Sequence, residues 1–321
     1  MNNKNKIDFH IKMITSIIDY HFKQTPKSIH RISIGICNEV YNVRLENKET
    51  IVRLNNEDKF LMGSHDHIPK LKELGINVPD ILIEDFSKKI IPFSYQIQNK
   101  IEGQDLDFVI ESMTEEQLIE LAKDIASIFK KVATIPASNQ FGVVWGGGNN
   151  ELNDSWTERM KIWINESYER GTKTGVMDDE ILNIAKKLFT KYKIYFDSIK
   201  PITYFGDICS KNVMILNGKF NGLVDLDGLT QGDPLEAIGR IKLSWYGTYH
   251  GKIYADALMN ELHLDKNQRK LVTAYALLNQ ISWACENGIQ FNQNTKAEVN
   301  IERMEKDKQL IKLLTKELGL F

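Results

Sequence analysis

The run Tyr204-Phe-Gly-Asp-Ile-Cys-Ser-Lys-Asn-Val-Met-Ile-Leu-Asn-Gly-Lys-Phe-Asn-Gly-Leu-Val-Asp225 governs how the rest of the chain is read. Asn217-Gly218 is a strong two-residue hairpin signal, because both turn positions need left-handed backbone that Asn and Gly adopt at low cost. Apolar segments flank it, Val213 to Leu216 before and Phe220 to Val224 after. Folding about this turn pairs Leu216 with Lys219, sets Asn212 opposite Leu223 and lets Asp225 emerge at the same open end. Two oxygen ligands therefore converge on one point.

That point suits Mg²⁺, which takes one or two protein oxygens and completes its shell with water and nucleotide phosphates. Asp207 sits on the loop entering the hairpin, where a carboxylate accepts the proton of an attacking hydroxyl. A base Asp, an Asn on the metal and a second Asp on the metal after a hairpin are the working parts of phosphoryl transfer. Asp-x-x-x-x-Asn alone arises by chance in a chain rich in both residues; the hairpin and the terminal Asp give it weight. The structural alternative makes Asp207 a turn residue, Asn212 a strand-edge cap and Asp225 a loop acid.

Phe205-Gly-Asp-Ile-Cys-Ser-Lys-Asn-Val, followed by Gly222-Leu-Val-Asp-Leu-Asp-Gly and Gly232-Asp-Pro, resembles the aminoglycoside phosphotransferase and choline kinase-like family, over nearly the whole chain. The resemblance implies a two-lobed protein-kinase-like fold, α+β, with a small antiparallel β lobe and a larger mainly helical one. It implies Asp207 as catalytic base, Asn212 and Asp225 as metal ligands, and Asp233 as an organiser of that loop. Three departures stand out. Phe205 replaces the usual His, and Arg53 in Ile51-Val-Arg-Leu54 replaces the better-known Lys. Arg keeps its charge permanently and grips phosphate through a bidentate fork. Arg44 is the nearest alternative cation. The helix that normally presents a Glu to this cation carries Ser64 or His65 there instead, which leaves Asp66 as a stand-in and the orienting residue open.

The length of 321 residues exceeds the usual single-core size, so two lobes are expected: 1–100 for nucleotide and 101–321 for catalysis and substrate. A formal net charge of −2, with bases scattered among acids, argues against a nucleic-acid partner. Cys37, Cys209 and Cys285 match no metal spacing. They fit a reducing compartment. With no apolar run long enough to span a bilayer, the expected location is the cytoplasm, without a membrane partner. Monomer and homodimer both stay open.

Lys6 to Phe22 reads as an amphipathic helix, and a meander follows over Ser28 to Ser33, Glu39 to Leu45 and Thr50 to Leu54. Between its first two strands, Gly35-Ile-Cys-Asn38 matches the position of a loop covering phosphates; a plain hairpin turn reads equally well. A helix over Ile68 to Leu74 and a strand starting at Val78-Pro79 come next. The strand Phe93 to Ile101 resembles the hinge between lobes, where backbone groups of Gln98, Asn99 and Lys100 would read a purine edge. Helices then dominate: Thr114 to Val132, Trp156 to Arg170, Asp178 to Ile194, Pro234 to Ser244, Lys252 to Leu262, Asn267 to Asn287 and Asn300 to Leu318. Gly142 to Asn153 reads as a surface loop.

The expected reaction moves the γ-phosphoryl of ATP or GTP, with Mg²⁺, to a small-molecule hydroxyl acceptor such as an aminoglycoside-like antibiotic or a related metabolite. No peptide-docking segment fits between Asp225 and Pro234, and no Ala-Pro-Glu follows. Asp227, Glu236, Glu261 and Glu286 are candidate acids for a polycationic acceptor, and Trp283, Trp245, Tyr246 and Tyr249 a candidate wall; core or surface roles serve all eight as well. The alternative function is a catalytically silent nucleotide-binding or structural protein on the same fold.

Overall fold

Alternation along the strands of the first sheet explains how the amino-terminal part folds. The computed structural model describes residues 3–33, 35, 37–148, 150–292 and 294–320; Ile36 of the glycine loop and Asn149 lie outside them. Helix α1 (Asn3–Phe22) precedes strands β1 (Ser28–Ile32), β2 (Glu39–Arg44) and β3 (Glu49–Asn55). Helix α2 (Lys59–Glu73), β4 (Ile81–Asp85) and β5 (Ser94–Asn99) complete the unit, in an antiparallel sheet of order β1-β2-β3-β5-β4. Successive strand residues point to opposite faces. Tyr41, Val43, Val52, Leu54, Tyr95 and Ile97 accordingly pack with Ile14, Ile17 and Ile18 of α1 in one apolar core. Full burial of each such aliphatic side chain contributes roughly 1.5–3 kcal/mol. The intervening Arg53, Ser94, Gln96 and Gln98 form a buried polar stripe on the other face, next to α2.

Helix α2 starts well before the predicted Ile68, and Pro69 lies inside it. Its far half, with Ile68 and Leu71, joins the core of the second lobe, so one helix serves both lobes. The strand expected from Val78 begins later, at Ile81.

The second lobe opens with β6 (Gln104–Asp105), the short α3 (Leu106–Val109) and α4 (Glu115–Val132), whose Thr114 and Gln117 form a capping box. The segment read as a loop is a hairpin, β7 (Phe141–Val144) and β8 (Asn150–Asn153). After α5 (Trp156–Thr174) and α6 (Asp179–Ser198) come β9 (Ile202–Tyr204), β10 (Val213–Leu216), β11 (Lys219–Leu223) and β12 (Leu229–Gly232). These strands form two small sheets, ordered β11-β10-β6 and β8-β7-β12-β9. Helices α7 (Leu235–Ser244), α8 (Tyr249–Glu261), α9 (Lys266–Ala284) and α10 (Ile301–Glu317) supply the bulk, α7 packing on α9 and α4 on α8. The architecture is the expected α+β arrangement of a small antiparallel lobe and a larger helical one. Among the described residues, no helix is long and apolar enough to cross a membrane.

Candidate active site

The β10–β11 hairpin turns at Asn217-Gly218 and pairs Leu216 with Lys219, as the sequence predicts. Its register then shifts. A bulge leaves Asn221 unpaired, so Val213 faces Leu223 and the Asn212 carbonyl accepts from the amide of Val224 at 3.0 Å. Asn212 was expected opposite Leu223; the extra residue moves it one step, directly beside the Asp225 end. Asn221 explains the bulge by donating its side-chain amide to the Glu102 carbonyl at 2.9 Å, a contact made to a distant segment.

Both residues at that end hold left-handed backbone, Asn212 at φ +74° and Asp225 at φ +59°. Such conformations cost about 1–3 kcal/mol for a side chain other than Gly and persist where surrounding contacts impose them. For Asn212 the contacts are visible: its amide N–H donates to Asp105 Oδ1 at 3.0 Å, and its Nδ2 donates to the Asp207 carbonyl at 2.9 Å and to Asp207 Oδ2 at 2.8 Å. Both Nδ2 hydrogens are thereby committed, and the amide oxygen is left as the acceptor.

Asp207 is held from its other side as well. Arg240, on α7, donates to Asp207 Oδ1 at 2.8 Å and to the Gly206 carbonyl at 3.0 Å. Arg240 is itself fixed by Asn279 at 3.0 Å, by the Glu236 carboxylate at 3.4 Å and by the ring of Trp283 beneath its guanidinium. Despite these contacts the Asp207 side chain is 51% exposed, open to the cleft.

Arg53 reaches the same end from β3. It is 4% exposed, and its Nη2 donates to Asp225 Oδ1 at 2.7 Å. The fork closes on Asp227, with Nη1 to Oδ1 at 2.8 Å and Nη2 to Oδ2 at 2.5 Å, and Nη1 also meets Ser64 Oγ at 2.7 Å. Partial desolvation in the cleft pushes the Asp225 carboxyl above the usual carboxylate range, opposed by Arg53 and reinforced by Asp227 and Asp207. Asp225 and the amide oxygen of Asn212 offer a set of hard oxygens. No group of three or more His, Cys, Asp or Glu suited to a metal occurs among the described residues. The two oxygens of Asn212 and Asp225 suit Mg²⁺, which borrows its remaining ligands from phosphates and water.

The other predicted binding residues fall around this centre. Asn38 is buried, its Nδ2 2.7 Å from Asp227 Oδ2, so its side chain braces the site from within. Gly35 has φ +88° with open space where a Cβ would stand, and its carbonyl accepts from Asn294 at 2.7 Å. Gln98 is paired in the sheet on both sides, and its Nε2 donates to Gln96 at 3.1 Å. The Asn99 amide donates to the Asp80 carbonyl at 3.0 Å, and Lys100 pairs with Glu49 at 2.5 Å. The ladder with β4 ends at Gln98 and that with β3 at Asn99, which makes Lys100 the first residue of the connection between lobes.

The helix question also has an answer. Ser64 faces Arg53, His65 turns away to Glu84 at 2.6 Å, and Asp66 accepts from the Gly147 amide at 2.8 Å. Asp66 is therefore no stand-in. Phe205 is buried in the core beneath the loop. Asp233 accepts from the hydroxyls of Tyr195 at 2.7 Å and Tyr275 at 2.8 Å and from the Leu235 amide at 3.1 Å, which ties the loop to α7. Of the suggested acids, Asp227 and Glu236 are internal partners of arginines. Of the suggested wall, Trp245 is buried and donates to Asp107 at 3.0 Å, while Tyr246 binds Glu317 at 2.7 Å. Sequence reasoning gave Arg240 no role. Glu236, four residues before it, is a local partner, but Asp207 lies on the loop before β10 and Asn279 on α9, contacts that only the tertiary fold makes.

The profile of the phosphotransferase enzyme family matches residues 28–268. No curated protein matches the chain. Among solved structures, a thermostable mutant of aminoglycoside phosphotransferase APH(4)-Ia superposes with a TM-score of 0.70 at 15% identity, covering 94% of this chain and 98% of that one. The GDP complex of wild-type aminoglycoside 2'-phosphotransferase-IIIa gives 0.69 at 15% identity, with 93% and 98% covered. A ternary complex of the APH(4)-Ia mutant with AMP-PNP and hygromycin B gives 0.67 at 14% identity, with 95% and 97% covered. These likenesses extend over both lobes.

Proposed function

The chain belongs to the phosphotransferase enzyme family, and on that premise we propose that it transfers phosphoryl groups to an alcohol acceptor on a small molecule, its residues dividing the work as follows. The supporting observation is one hydrogen-bonded line. It runs from Arg240 through Asp207 to Asn212, at the hairpin end where Asp225 meets Arg53. Asp207 is the general base: it takes the proton as the acceptor oxygen bonds to the γ-phosphorus and the bond from that phosphorus to the bridging oxygen breaks, releasing the nucleoside diphosphate. Arg240 and Asn212 hold one Asp207 oxygen each and so aim the carboxylate. Asn212 and Asp225 would hold Mg²⁺, which would supply charge neutralisation on the phosphates. Arg53 meets a phosphate oxygen through Nη2, at the place Asp225 holds without nucleotide, Gly35 covers the phosphates, and backbone beyond Asn99, beginning at Lys100, reads the base of ATP or GTP.

The acceptor we propose is an aminoglycoside-like antibiotic or a related hydroxylated metabolite. APH(4)-Ia binding hygromycin B on the same fold supports this choice. So does the path after Asp225, which passes straight into β12 and then α7 and leaves the cleft without a peptide-docking segment.

Phosphate incorporation across aminoglycosides, macrolides, choline and amino sugars, with ATP or GTP and Mg²⁺, tests the reading. One acceptor class should be phosphorylated, and Asp207→Asn should lower its kcat by about a hundredfold or more while nucleotide affinity holds. An Asp207→Asn variant with wild-type kcat would remove Asp207 as base. Nucleotide binding without turnover on any acceptor would favour the silent alternative.

A further inference from the structure

We infer that Asp227 is the positioning residue for Arg53, a carboxylate on the proposed metal loop that takes over the duty of the missing helix Glu. The inference rests on the reading of Arg53 as the phosphate cation. On α2 no carboxylate reaches Arg53: Ser64 is neutral, His65 serves Glu84 and Asp66 serves Gly147. Asp227 instead meets the guanidinium with both oxygens, in the fork geometry that fixes a guanidinium's plane as well as its place.

The four contacts on Asp227 decide between orienting an arginine and binding a metal. Oδ1 accepts from Arg53 Nη1 and from Ser64 Oγ; Oδ2 accepts from Arg53 Nη2 and from Asn38 Nδ2. An ionised carboxylate has about four lone-pair sites, so these donors fill it. Its side chain is 8% exposed. Asp227 therefore has nothing left for a cation, whereas Asp225, 45% exposed, gives Arg53 a single contact. Leaving one charge of a buried pair unpartnered is costly, which keeps Arg53 and Asp227 together while the looser Asp225 contact exchanges. A phosphate oxygen arriving at Arg53 Nη2 would take the place of Asp225 and free that carboxylate. Asn38 extends the same hub to the glycine loop.

Calorimetric titration with ADP in EDTA reads the cation without any metal. Asp227→Asn should weaken ADP by about tenfold or more, the size of a charge-assisted contact. Adding Ser64→Glu to that variant returns a carboxylate to α2 beside Arg53 and should recover most of the loss. In an Arg53→Met background, Asp227→Asn should add nothing. Wild-type affinity in Asp227→Asn overturns the inference, and so does a Ser64→Glu/Asp227→Asn protein that binds no tighter than Asp227→Asn. Should the single variant not fold, the double variant decides alone: folded and binding supports the assignment, unfolded overturns it. Arg53→Met with wild-type affinity would instead defeat the phosphate reading of Arg53.

Discussion

Asp207 is exposed yet has little freedom, because both its oxygens are engaged from opposite sides. Asn212 comes with the hairpin, but Arg240 comes from the helical lobe, and its guanidinium is what ties the proposed base to α7. Charge-assisted hydrogen bonds contribute roughly 1.5–3 kcal/mol each. Arg240→Gln should therefore lower kcat by about one to two decades, at constant ADP affinity, since no nucleotide-facing group moves. Steady-state kinetics paired with ADP titration checks the split. Equal losses in both would mean that Arg240 supports the lobe and not Asp207.

At the scale of elements, α2 couples the lobes through a close approach to the loop after Asp225. Gly63 faces the Asp227 backbone so tightly that a Cβ there would overlap the Asp227 carbonyl, and it would also crowd the carbonyl of Trp145 at 2.5 Å. Because both neighbours are backbone, no rotamer relieves the clash. Gly63→Ala should destabilise the protein by about 1–3 kcal/mol or more, measurable as a lower urea midpoint. It should also weaken ADP, as Asp227 is pushed off Arg53. The sequence made some of this readable and hid the rest for physical reasons. Asn217-Gly218 specifies its turn locally, and Ile14, Ile17 and Ile18 mark the buried face of α1 by spacing alone. The bulge at Asn221 depends on a carbonyl of Glu102, and the strands β7 and β8 are short and separated by glycines, so neither announces itself. Pro69 hid the first half of α2, since it reads as a helix boundary. The contact of Asp227 with Arg53 was invisible because its partner lies on β3, far away in sequence.

Among the described residues, two apolar cores flank the candidate site, joined by α2 and by Asn38, which bonds Asp227 across the cleft. Ligands bridging the lobes should stabilise both cores at once. Mg-ADP at about a hundred times its Kd should add about 2.7 kcal/mol, seen as a rise in Tm. Asp225→Ala should erase the part of that rise that depends on Mg²⁺ while preserving the part given by ADP in EDTA; an unchanged Mg²⁺ increment would remove Asp225 as ligand. Position 63 also bears on how substitutions spread through the chain. Selection on activity alone would find 63 and 207 equally intolerant, one by shape and the other by chemistry. Scoring cellular abundance beside activity would part them: changes at 207 leave plentiful, idle protein, whereas changes at 63 deplete it. A lineage could admit a larger residue at 63 only after the loop carrying Asp227 had drawn back, so drift at these two places must proceed in step.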